Sequence, residues 1–231
     1  MLLFYQQLTR YSSAFAFAAD VSMLVLGGSL KRKEKISARL GDVLSNLYLC
    51  SATLKRFEDD GRPDEDLPML HWVLQDGLYR IQEAFDGVLQ NFPSRIAAWG
   101  LRRLIFPLGK CAMPPSDELG HQVATILMQP GAARDRLTYG MHIPKSETEA
   151  VGALEYALLS TLKCEPIQAT VAKARKEGKI KARDEMEQVA EAGKLGIITS
   201  EQLALLERDY ILRRKVIMVN DFDSSELAAG K

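Results

Sequence analysis

Gly27-Gly28, followed by Ser29-Leu30-Lys31-Arg32-Lys33, is the segment whose residue types come closest to a ligand cradle. Backbone N–H groups at a helix start, with Lys and Arg alongside, can hold a phosphate. The spacing matches neither the P-loop pattern nor GxGxxG, and no strand-like run precedes the glycines. A helix kink followed by a solvated basic turn explains the same residues and is the preferred reading. His71, His121 and His142 are scattered, without HExxH spacing, and no GxSxG elbow is present. Carboxylates are plentiful, but none stands out as one of an acid/base pair. The sequence therefore nominates no catalytic, cofactor-binding or metal-ligating residue.

The segment from Asn91 to Ser116 is distinguished by charge. It holds Arg95, Arg102, Arg103 and Lys110 and no acidic residue, interleaved with Ile96, Trp99, Leu101, Leu104, Ile105 and Phe106. A basic helix with Trp and Phe can lie in a membrane interface, which makes Arg95, Trp99, Arg102 and Arg103 candidate membrane contacts. A core helix whose arginine stems reach to water has the same pattern and is preferred here. A second basic run, Lys173 to Arg183, contains no aromatic residue and reads as a solvated helix end.

Lys+Arg and Asp+Glu both number 30, so the net charge is zero and nucleic acid is not an expected partner. Three widely spaced cysteines, Cys50, Cys111 and Cys164, form no CxxC and fit a reduced, cytoplasmic setting. The apolar N-terminus is interrupted by Arg10 and Asp20 and lacks a basic leader, so a buried helix is expected rather than a signal peptide or a membrane span. The start is abrupt and uncapped, as in a piece of a longer chain.

The elements that must position these residues are helical throughout. Apolar residues step by three and four nearly everywhere, and alternating strand patterns are scarce. Helices are expected at about 4–26, 30–58, 68–90 and up to 106. On the second, the inner stripe is assigned to Ile36, Leu40, Val43, Leu44, Leu47, Ser51 and Leu54. Asp76-Gly77 and Asp86-Gly87 lie on the third helix rather than in hairpin turns. Short polar connections then favour an antiparallel bundle. Pro107, Gly109, Pro114 and Pro115 mark a boundary. Beyond it, helices are expected from Ser116 to about Met128, at 149–163, at 166–176 with Pro166 in the first turn, at 182–192, and from a Thr199/Gln202 capping box to about Val219. The expected fold is all-α: a long-helix bundle over 1–113, a smaller helical subdomain over 114–219, and an acidic, disordered tail over 220–231.

Several phrases in this chain resemble a known family. Ala19-Asp-Val-Ser-Met-Leu-Val-Leu-Gly-Gly28, Leu30-Lys-Arg-Lys-Glu34, Ala38-Arg-Leu-Gly-Asp42, Ser51-Ala-Thr-Leu-Lys-Arg-Phe57, Leu104-Ile-Phe-Pro-Leu-Gly109 and Asn220-Asp-Phe-Asp223 are similar to the C-terminal extension of bacterial long-chain acyl-CoA dehydrogenases. The resemblance implies a flavoenzyme of fatty-acid β-oxidation, in which a glutamate takes the α-proton and FAD accepts hydride. The family's glutamate phrase and its β-domain are absent from this sequence. FAD is thus implied for a full-length parent and not expected to bind this chain alone. The implied partners are an upstream catalytic module, a second subunit, and the inner membrane surface. A stand-alone helical interaction module is the alternative; the reading frame upstream of Met1 separates the two.

Overall fold

The computed structural model describes residues 1–219. The expected tail at 220–231 lies outside the described residues. Among the described residues there is no strand, and the chain is all-α. Two compact units divide after Leu137.

The first unit is built on three long helices, α1 (Leu2–Leu26), α2 (Glu34–Asp59) and α3 (Leu67–Gln90), crossed by α4 (Arg95–Ile105). A 3-10 turn over Gly27–Arg32 joins α1 to α2. Gly27, at φ 50°, ends α1 in a conformation that L side chains rarely adopt. The buried positions of α2 are Ile36, Leu40, Val43, Leu47, Cys50, Leu54 and Phe57. They alternate steps of four and three, the period of a coiled-coil seam. Leu44 and Ser51, assigned to this stripe from the sequence, do not belong to it: Leu44 is 52% exposed. Asp76-Gly77 and Asp86-Gly87 lie on α3, as expected.

Where α3 passes Cys50 of α2, a Cβ added to Gly77 would stand 2.2 Å from the Cys50 sulfur. Cys50 has one side-chain torsion and 1% exposure, so it has little room to retreat. Gly77→Ala should therefore destabilise. Overpacking costs about 1–3 kcal/mol, more than the roughly 0.5–1 kcal/mol gained by removing a helical glycine. Gly41→Ala, on the open surface of α2 with no atom within 4 Å of the added methyl, should instead stabilise. Thermal melts of both variants, and of Gly77→Ala combined with Cys50→Ala, check this. The double change should recover most of the loss.

The α1 helix is not the buried helix expected. Only Leu8, Tyr11, Ala18 and Ser22 are buried. The continuous stretch Leu2–Arg32 reaches a mean hydropathy of 1.5, and by length and composition it could cross a bilayer. One face is nonetheless committed to the bundle. Tyr11 stacks on Phe85 with ring centres 6.0 Å apart, Phe85 meets Phe106 edge-on, and the Arg10 guanidinium donates to the Ile105 carbonyl at 3.0 Å.

Two further helices, α5 (Asp117–Met128) and α6 (Ala132–Leu137), complete the first unit. Ser116 caps α5 by accepting from the Leu119 N–H. The first unit runs to Leu137 rather than ending at the expected residue 113, because α5 packs on α3 and Arg136 anchors α6. The Arg136 guanidinium takes both oxygens of Asp66 at 3.0 and 2.7 Å and Glu65 at 3.1 Å, tying α6 to the start of α3.

The second unit contains α7 (Ala150–Lys176), α8 (Glu185–Lys194) and α9 (Ser200–Ile217). The two helices expected around Pro166 are one, with Pro166 inside it. Pro166 lacks an N–H and forfeits a bond one turn back, a cost of about 3 kcal/mol in a helix interior. Cys164 on one side of it and Val171 and Ala174 on the other are buried in one core with Val189, Ala192 and Leu206, which holds both halves in line. The Thr199/Gln202 capping box opens α9. Asp209 is fully buried and accepts from Thr161 (3.1 Å), Gln168 (3.3 Å) and Arg213 (2.8 Å).

Candidate functional site

The α4 helix has two unlike faces. Ala98, Leu101 and Ile105 enter the core, while Ile96, Trp99 and Leu104 face solvent. The core reading of this segment therefore holds for one face only. Four residues were candidates for membrane contact. Arg95 is exposed and donates one bond to the Gln90 carbonyl at 3.1 Å. Trp99 is 65% exposed, with the Arg103 guanidinium 5.9 Å from its ring centre. Arg102 is engaged differently. It is bound at 2.5 Å to Asp86, whose side chain is only 9% exposed.

Asp86 is the hub of a polar network that the sequence did not reveal. Lys110 donates to it at 3.1 Å and to Glu83 at 2.9 Å, and Gln90 donates at 2.8 Å. Burial pushes the Asp86 pKa up, but the hydrogen bonds and charges of Arg102 and Lys110 outweigh burial and hold it below the ordinary carboxylate value. One turn earlier, the buried Gln82 side chain donates to the Ala112 carbonyl (3.0 Å) and accepts from its N–H (2.8 Å), pinning the proline-rich segment to α3. Every group here is paired toward structure, and none is aimed at an open space.

The glycine turn offers no phosphate cradle of the P-loop kind. Gly27 spends its N–H on the Met23 carbonyl as it ends α1 and opens the 3-10 turn, so that N–H is not free for a phosphate. The histidines do not assemble a site. His71 lies against Phe4, and among the described residues no group of three or more His, Cys, Asp or Glu could hold a metal ion.

Among the described residues, two clefts are large enough to test for FAD. A groove of about 580 Å³ between α1 and α2 is lined by Tyr5, Phe15, Leu44, Tyr48 and Ser51, with Lys55 and Glu58 at its rim. Its aromatic residues could face a flavin ring, but a single lysine beside a glutamate gives a pyrophosphate nothing to sit on. A cleft of about 490 Å³ in the second unit offers Arg175 and Lys176 over Val171, Ala172 and Val189, with no aromatic residue to hold the ring. Neither set fits FAD, and no step of flavin chemistry is derived from these residues.

The family described as acyl-CoA dehydrogenase, C-terminal, bacterial type, matches residues 1–222. No solved structure matches the chain.

Proposed function

This chain belongs to the bacterial-type acyl-CoA dehydrogenase C-terminal family, and from that premise we propose that it serves as the helical C-terminal portion of an FAD-dependent acyl-CoA dehydrogenase. The parent enzyme oxidises the Cα–Cβ bond of fatty acyl-CoA in cytoplasmic β-oxidation. The family match over residues 1–222 carries this reading. Polar networks that serve packing, and clefts whose linings do not suit FAD, support a local role that is architectural rather than catalytic.

Within that role, the upstream catalytic module is the partner, and the groove between α1 and α2 is the surface that receives it. Tyr5, Tyr48 and Leu44 are large, exposed and adjacent there, as an interface core requires. A second copy of the enzyme is the other partner of the same chemistry.

The chain purified with excess FAD is expected to carry no flavin absorbance and to drive no palmitoyl-CoA-dependent dye reduction. Stoichiometric flavin or measurable turnover would overturn the architectural role. Joined to a flavin module found upstream in the same reading frame, the chain should raise the module's thermal stability, and Tyr48→Ala in the groove should lower that gain.

A further inference from the structure

The first bundle is electrically polarised along its length, and its basic end also carries exposed aliphatic side chains. The start of α2 and the end of α3 meet there: Arg32, Lys33, Lys35 and Arg39 share a cleft with Asn91. Arg39 lies close enough to Gly87 that an added Cβ would stand 2.8 Å from its Nε. Between Met23 and Arg39 the chain carries five cations and one carboxylate, Glu34. No carboxylate pairs with any of the five among the described residues. Beside them Leu24 is 85% exposed and Met23 and Val25 are also exposed, while Ile96, in the first turn of α4 next to Arg95, is 86% exposed.

The opposite end is acidic. Tyr5 donates to Glu58 there, and Asp59, Asp60, Asp64, Glu65 and Asp66 follow. Most of those carboxylates are already paired within the bundle, Glu58 with Arg62, Asp59 with Lys55, Asp60 with Arg56, and Glu65 and Asp66 with Arg136.

We propose that the basic end of the first bundle, centred on Leu24, Lys31, Arg32, Lys33 and Lys35, docks on an anionic lipid surface. Two observations select a bilayer over other occupants. The cations have no carboxylate partner and stand at the same end of the bundle as exposed aliphatic side chains, so a partner must offer negative charge and an apolar layer beneath it, as a phospholipid surface does. A head-to-tail second copy would offer the acidic end, whose carboxylates are mostly taken within the bundle. The docking stands on this surface alone and holds whether or not a flavin module precedes the chain. Lys and Arg stems lie along the aliphatic patch and their heads reach the phosphates. Arg95 and Trp99 take part from α4, while Arg102 stays on Asp86.

Flotation of the full chain with phosphatidylcholine vesicles containing phosphatidylglycerol tests this. The chain should float with the mixed vesicles at low salt, sink as salt rises, and sink with phosphatidylcholine alone. Each basic residue removed should weaken partitioning about fivefold, equivalent to about 1 kcal/mol. The combined Lys31→Glu, Arg32→Glu, Lys33→Glu and Lys35→Glu variant should lose binding by at least two orders of magnitude, with circular dichroism unchanged. Leu24→Ser should weaken binding while leaving the charge intact. Asp64→Lys, a charge change of equal size per site and opposite sign at the far end, should leave binding as it was. Equal gain from Asp64→Lys would mean that net charge alone governs, and would overturn the proposal. So would insensitivity to the four-residue change, full competition by millimolar inorganic phosphate, or salt-sensitive self-association without lipid that the same four changes abolish.

Discussion

Val43→Asp is expected to unfold the first bundle, while Leu44→Asp, one residue along, should leave it folded. Val43 has no exposed surface and faces α3, so an aspartate there is a buried charge without a partner. Such a charge costs several kcal/mol, a large part of the roughly 5–15 kcal/mol that stabilises a domain. Leu44 is half in water on the rim of the α1–α2 groove. Its replacement loses some apolar contact and about 0.5 kcal/mol of helix propensity, with no charge buried. Circular-dichroism melts of the two variants should differ by tens of degrees or show no folded Val43→Asp at all. Equal losses would mean that the helical phase of α2 is wrong.

That contrast marks where the sequence stops being legible. The existence and order of the long helices follow from steps of three and four, because a helix must bury one stripe whatever it packs against. The exact phase does not follow. From Leu40, a step of three reaches Val43 and a step of four reaches Leu44; from Leu47, the same choice is Cys50 or Ser51. The buried positions settle both choices, because alternating steps of four and three keep one seam turned toward a neighbouring helix such as α3. Pro166 misled for a related reason. Its local penalty is real, but the shared core on both sides of it exceeds that penalty. The α1 helix misled in the opposite sense: its apolar content predicts burial, yet its outer face has no neighbour among the described residues of the bundle. Arg102 could be read as a surface cation because its partner, Asp86, lies sixteen residues away on another helix. An aspartate between Phe85 and Leu89, inside an apolar stripe, was the signal that could have revealed it. The family resemblance was legible from strings of residues, since it does not depend on which way a side chain points.

Replacing Asp86 should cost the first bundle about 2–3 kcal/mol at neutral pH, the range for charged hydrogen bonds lost from a buried acceptor. The loss stays below that of a sealed ion pair because Arg102 and Lys110 are both about 40% exposed and can turn to water once Asp86→Ala removes their partner. The gap between wild type and variant should depend on pH in one direction. The folded state holds the Asp86 carboxyl below its ordinary value of 3.8, so the unfolded chain takes up a proton first as the solution is acidified. The contribution of Asp86 is therefore complete at pH values well above 3.8 and is lost as pH falls through the depressed folded value. Melts of wild type and Asp86→Ala should be furthest apart near pH 7 and converge below pH 3.8. Asp86→Asn keeps the shape and one acceptor but no charge, so its deficit should be smaller at pH 7. A constant Asp86→Ala deficit from pH 7 to pH 3 would mean that shape rather than charge holds α4 and the 107–115 segment on α3. Full retention of stability in Asp86→Ala would mean that the network contributes nothing net, and that Leu101, Ile105 and Phe106 hold α4 by packing alone.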